Sequence, residues 1–482
     1  MTVATCPEPC AMPIVFVPGI MGSRLRQRGG PLVWDPDNSM DWNPFAQSQG
    51  SLAANAMAGA ATKRENLVGP SGSGYSPTYL EVHRGTVGGN LNAERIARGW
   101  GGLHQGSYFQ FMMWLDIAVQ QPSNNRHLPP RCHAVNFEAF AHPYNWTDDN
   151  RNSGRDLART VAQAVRETTR KYANRPEVRI LKPVLVTHSM GGLVARAYTQ
   201  IHGGAGDVHG VIHGAMPTDG APATYKRMLS GFEGVASLVL GYNQAQVTAT
   251  AGNMPGALQL LPNGRHKSVD GSTGWLRIEN RDGSRRATYP ASDPYAEIYS
   301  EKHQWWRLIH ERYLDPEGDN TGEDARKQFE VQLAKARAFH RALGDNGFHP
   351  NTRMFYADDT GHRSWDKVVW RQSGPRDTPS AGATYSNSGL GTVEWGQWHT
   401  IPGGFGMMGA APMPQFIPET VYTIRPADAP GDGTVHAGSG RHVRGAMSVQ
   451  SPSGFEHQHA FNSRDVRRMV ADWLFDMVLE QL

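Results

Sequence analysis

The sequence predicts an α/β fold in which a mostly parallel central sheet, flanked by helices, is interrupted by a large inserted cap. Three observations carry this expectation. Short apolar runs at 13–17, 183–187 and 208–213 read as buried strands. Helical patterns alternate with strands through the first half of the chain, as they do in parallel βαβ units. From roughly residue 218 to 416 the alternation breaks into sequence rich in Gly, Pro, Trp and Met, such as WGQWHTIPGGFGMMGAAPMPQF.

The first strand, at 13–17, ends in the turn Pro18-Gly19. Residues 29–105 are rich in Gly, Ser, Asn and Pro with little periodicity, which reads as a long decorated loop region. A strand at 132–140 leads into His142-Pro143-Tyr144-Asn145-Trp146. A helix follows, with Leu157, Val161, Val165, Thr168 and Tyr172 about one turn apart. Asp148 and Asp149 stand where negative charge favours that helix's N-terminus. The strand at 183–187 runs straight into His188-Ser189-Met190-Gly191-Gly192, and residues 193–200 read as helix. Beyond the cap, a strand at 420–424 and a last helix restore the pattern. Val466, Met469, Val470, Trp473, Leu474, Met477 and Val478 fall on one stripe of that helix, with Asn462 or Ser463 as its N-cap. The expected organisation is therefore a hydrolase-type core at 1–217 and 417–482, with a cap or lid at 218–416.

Composition excludes several functions. Lys and Arg number 47 against 44 Asp and Glu, a net charge of +3, far from the dense basic footprint that neutralises phosphates, so no nucleic-acid partner is expected. Three cysteines, Cys6, Cys10 and Cys132, cannot build a disulfide framework, which points to the cytoplasm. The N-terminus lacks a basic n-region, and its apolar stretch at 11–17 is broken by Pro13, so no secretory signal is read. No segment approaches the about 18 consecutive apolar residues of a membrane span. Contact with lipid would be peripheral.

Ester hydrolysis by serine needs a hydroxyl activated by an imidazole, a carboxylate that fixes the imidazole's tautomer, and donors for the oxyanion. THSMGG, directly after an apolar strand and before a helix, matches the nucleophile elbow of the α/β-hydrolase fold, with Ser189 as nucleophile. Thr187 stands where the usual GxSxG pattern has its first Gly, which requires roomier packing. The acid is Asp432 in GDGTV, with Asp428 as the near competitor. A bland reading makes PGDG a surface turn. The base is His457 in FEHQHAF, with His459 as its rival, because spacing alone does not say which ring faces the elbow. The backbone amides of Met21, in VPGIMGSRL, and of Met190 are the expected oxyanion donors. No cofactor is required. His202, Asp207, His209 and His213, or Cys6 and Cys10 with Cys132 and His133, lack a recognised ligand spacing, so no metal is assigned.

VFVPGIMGSRL, the PYNW segment, THSMGGLVAR, GDGTV and a late EH together resemble the lecithin:cholesterol acyltransferase-like branch of the α/β-hydrolases. That resemblance covers the core and not the middle of the chain. It implies acyl-ester chemistry on phospholipids or related lipids, with triad positions on Ser189, Asp432 and His457 and oxyanion amides on Met21 and Met190. EHQ before the last helix, in a leaderless chain, is also similar to bacterial lipases delivered as antibacterial effectors by type VI secretion. Such a role implies export without a leader and an immunity or delivery protein as partner. The expected activity is that of a serine lipase or phospholipase. The alternatives are an acyltransferase using the same triad, an inert hydrolase fold that binds lipid or protein, a deacylase of lipid-linked glycans, and an esterase of small esters. The stretch at 395–416, and Trp34 with Trp42, read equally as a lid over an acyl groove or as ordinary cap core.

Overall fold

CAMPIVFV, the strand Cys10–Val17, is buried along its whole length, as a central strand covered on both faces must be. The computed structural model describes residues 9–38, 57–85, 91–119, 135–319, 321–344, 347–401, 413–452 and 454–482. In it Cys10–Val17 pairs in parallel with Val135–Ala141 on one side and with Val184–His188 on the other; Arg179–Ile180 joins its first residues. Gly210–Gly214, Thr352–Phe355 and Ser448–Gln450 continue the sheet outward, all parallel.

Helices cover both faces. Asn150–Lys171 begins where the Asp149 carboxylate accepts from the Arg151 amide at 3.0 Å, and it buries Leu157, Val161, Ala164 and Thr168. The last helix, Arg464–Leu479, starts at Ser463, whose hydroxyl accepts from the Val466 amide at 3.5 Å. Its buried stripe contains all seven residues that the periodicity picks out.

The structure corrects the expected return to the core. Residues 420–424 belong to the long strand Met413–Ile424, which pairs antiparallel with Thr392–Ile401 and Val368–Ser373 in a separate six-stranded sheet. The last strands of the central sheet are instead Thr352–Phe355 and Ser448–Gln450. The first of these lies inside the span read as an insertion, so the excursion returns to the core midway. Nothing local marks Thr352–Phe355 as a core strand, since four residues carry no period.

Residues 29–105 also hold more order than their composition suggests. Leu25–Gln27, Leu32–Trp34 and Leu80–Val82 form a small antiparallel sheet, and the helices Ala60–Leu67 and Ala93–Ala97 accompany it. Trp34, Leu67 and Trp100 are buried there. Among the described residues no helix is long and apolar enough to cross a membrane.

Candidate active site

The strand Val184–His188 ends with Ser189 in a left-handed conformation, φ 51°, before the helix Gly191–Arg196. A non-glycine residue held there carries backbone strain, and the surroundings must enforce it. The Ser189 amide donates to the Gly214 carbonyl at 2.8 Å, and the Ser189 carbonyl accepts from the Gly192 amide at 2.9 Å. A Cβ on Gly191 would lie 2.3 Å from the Val17 carbonyl oxygen, so only glycine lets the elbow close onto the first strand. Thr187 departs from the usual glycine but is accommodated. It is fully buried, and its hydroxyl hydrogen-bonds His213 Nδ1 at 2.8 Å.

His457 faces the serine. Its Nε2 lies 2.9 Å from Ser189 Oγ, and its Nδ1 lies 2.7 Å from Asp432 Oδ2. Asp432 is buried, and its other oxygen accepts from the amides of Thr434 and Val435 at 2.9 and 2.7 Å. His459 turns away to Glu456, with Nδ1 at 2.8 Å from the carboxylate, on a side chain that is 55 % exposed. Asp428 forms no hydrogen bond or ion pair with His457, whose carboxylate partner is Asp432. The structure thus brings together Ser189, His457 and Asp432, and leaves His459 and Asp428 apart.

Met21 follows the first strand with φ 61°, in a turn closed by the Gly22 amide on the Gly19 carbonyl at 3.0 Å. Trp34 Nε1 donates to the Met21 carbonyl at 2.7 Å and fixes the plane of that peptide's oxygen. Among the described residues, neither the Met21 nor the Met190 amide has a protein acceptor. Gly19 lies against the elbow, since a Cβ there would be 3.1 Å from Ser189 Cβ.

Gly19, Met21, Ser189 and His457 line one cavity of about 460 Å³. Its far wall is apolar and comes from the cap: Met228, Phe232, Ala236, Ala251, Ala257 and Leu260. Trp34 lines it as well. No described residue of 395–416 does, and Trp42 and residues 402–412 lie outside the described residues. Two cations reach the lining. Arg227 is held by Glu233 at 2.9 Å and by Thr434 Oγ1 at 3.1 Å, whereas Arg363 has no ion-pair partner among the described residues.

The described histidines and Asp207 weighed for a metal make hydrogen bonds elsewhere. His209 meets Glu480 at 2.8 Å, His213 meets Thr187, His202 meets the Arg151 carbonyl at 2.8 Å, and Asp207 accepts from Tyr198 at 2.8 Å. Cys10 is a buried free thiol pushed up to about 11 by burial. Cys6, Cys132 and His133 lie outside the described residues.

Sequence reasoning missed Tyr108 and His188. Tyr108 Oη lies 2.7 Å from His188 Nδ1, and His188 Nε2 lies 2.9 Å from the His457 carbonyl. His188 was visible as the neighbour of the serine, but Tyr108 is 80 residues away from it in the chain, and no local pattern marks it.

Residues 104–250 match the PGAP1-like alpha/beta domain. Over 98 % of its length the chain is similar to a chain in the crystal structure of the Tle4–Tli4 complex, covering 100 % of that chain at 28 % identity and a TM-score of 0.74. The fold is α/β-hydrolase-like. No curated protein matches the chain. The likeness to the lecithin:cholesterol acyltransferase-like branch rests on the sequence motifs alone.

Proposed function

We propose that the protein is a serine lipase or phospholipase that cleaves carboxylic ester bonds of lipids through an acyl-enzyme. The observation that carries this reading is the 2.9 Å approach of His457 Nε2 to a strained Ser189 at the end of a largely apolar cavity. In the proposed reaction His457 takes the Ser189 proton as Oγ attacks the ester carbonyl. Asp432 keeps the imidazole proton on Nδ1 and stabilises the imidazolium. The amides of Met21 and Met190 receive the oxyanion. His457 then protonates the leaving alcohol, and water, activated by the same ring, releases the fatty acid. The apolar wall suits an acyl chain, which gains from leaving water.

The likeness to a protein solved with a partner, Tli4, supports a protein partner for this chain as well. Together with the sequence resemblance to type VI secretion lipases, it favours an antibacterial effector whose partner is an immunity protein.

The test is fatty-acid release from mixed phospholipid and monoacylglycerol vesicles by the wild type beside Ser189→Ala. Loss of a triad nucleophile costs about 10⁶ in turnover, so the variant should be silent. Equal activity of the two proteins would remove Ser189 from the mechanism.

A further inference from the structure

Four groups from distant parts of the chain form one hydrogen-bonded line along the wall of the candidate site's cavity. The Gly19 amide donates to Tyr108 Oη at 3.2 Å. Tyr108 Oη and His188 Nδ1 are 2.7 Å apart, and His188 Nε2 is 2.9 Å from the His457 carbonyl oxygen. The proton positions follow from these contacts. A carbonyl only accepts, so His188 carries its proton on Nε2. Its Nδ1 therefore accepts, and the Tyr108 hydroxyl proton goes there. That leaves a Tyr108 lone pair for the Gly19 amide, and every member of the line is satisfied. The alternative tautomer would set the His188 Nε2 lone pair against a carbonyl lone pair. Burial also keeps His188 neutral, with its pKa lowered to about 3.

The two ends of the line matter for chemistry. Gly19 closes the turn that carries Met21, an oxyanion candidate. At the other end, His457 is held at its carbonyl by His188 and at its amide by the Asp432 carbonyl at 2.8 Å. Packing alone does not account for the tyrosine. Its ring lies 5.0 Å from that of Phe16 in an aromatic cluster with Phe111 and Phe461, where phenylalanine would fill the same volume. The hydroxyl serves the polar line.

We infer that Tyr108 and His188 are positioning residues that hold the oxyanion turn and the backbone of His457 against the Ser189 elbow as one unit. This rests on the serine-hydrolase reading above. Neither residue touches the reacting atoms. Their effect is geometric, and a misplacement of about 1 Å in such a site costs about a hundredfold in rate.

The experiment measures the rate at which a fluorophosphonate probe labels Ser189, which requires the serine and its base but no knowledge of the lipid. Kinetics on p-nitrophenyl butyrate are measured alongside. Tyr108→Phe should label about ten- to a hundredfold more slowly than the wild type and lower kcat with KM unchanged. His188→Gln can place an amide donor toward the His457 carbonyl, so it should label faster than His188→Met. Wild-type labelling rates in Tyr108→Phe would overturn the inference. Should that variant lose its thermal transition, the His188 pair decides, and equal rates for Gln and Met would overturn it as well. A wild type that does not label at all would sink the serine reading itself, and the positioning role with it.

Discussion

Asp432 holds His457 at two points: its carbonyl accepts from the His457 amide at 2.8 Å, and its carboxylate meets Nδ1 at 2.7 Å. Backbone and ring are therefore fixed by one residue. Replacement of Asp432 by Asn keeps the backbone bond but presents a donor or a weaker acceptor to Nδ1, which favours the wrong tautomer. We expect Asp432→Asn to lower kcat by about 10⁴ on any ester substrate, with a thermal midpoint near that of the wild type. Asp428→Asn should leave kcat unchanged. A steady-state comparison of the two variants decides between the carboxylates.

Arg363 reaches the cavity with no acidic partner among the described residues, in the strand Asp359–Ser364, which pairs with the strand just before Asp432. Arg227, which also lines the cavity, is paired with Glu233, a carboxylate it shares with Lys226. A lipid phosphate is the natural counter-ion for such a guanidinium. Arg363→Gln should lower kcat/KM for dihexanoylphosphatidylcholine by about tenfold and leave dihexanoylglycerol unaffected, both assayed as monomers. An equal loss on the two substrates would assign the residue to structure.

Arg24 and Asp35 make a buried two-point ion pair, Nε to Oδ1 at 2.8 Å and Nη2 to Oδ2 at 2.6 Å, and Nη1 of the same arginine donates to the carbonyls of Gly85 and Gly101. This ties the segment after the Met21 turn to the region at 29–105. Arg24→Met leaves Asp35 buried and unpaired, which costs about 3–5 kcal/mol. Urea denaturation should show that loss. Arg24→Lys recovers only part of it, because an ammonium lacks the planar fork.

Buried histidines set the acid limit of the fold. Burial lowers His142, His188 and His213 to about 3, His266, His310 and His340 to about 4, and His436 well below its ordinary value. The unfolded chain binds these protons near pH 6.5, whereas the native state refuses them until far lower. Below pH 6.5 the unfolded state therefore holds more protons, and stability falls as pH falls. Each ring contributes up to about 1.4 kcal/mol per pH unit in that window. The urea midpoint should be flat between pH 7 and 8 and drop steadily from pH 6.5 to 5. A midpoint that holds through pH 5 would mean that these rings take up protons within the fold just as they do in the unfolded chain.

The elbow was legible in the sequence because its determinants are local: an apolar run, a small-residue turn and a helix, all within about a dozen residues. The periodicity of the last helix was readable for the same reason, since seven apolar positions repeat along one face. The central strand Thr352–Phe355 was not readable. Its burial comes from Gly210–Gly214 and Ser448–Gln450 on either side, neighbours that only the folded chain supplies. Likewise, residues 420–424 look like any buried strand, and only pairing assigns them to the second sheet.

By itself the sequence determined the α/β class, the Ser189 elbow and the order in which serine, acid and base candidates follow one another, because each depends on residues adjacent in the chain. Which ring faces the serine, and which carboxylate faces that ring, was decided by tertiary structure. His457 and His459 are two residues apart and alike in chemistry, yet one turns to Ser189 and Asp432 and the other to Glu456. Hydrogen bonds between groups tens to hundreds of residues apart make that choice, and so do those that bring Tyr108 onto His188. No local pattern encodes such distances, because they arise only when the sheet has set its strands side by side.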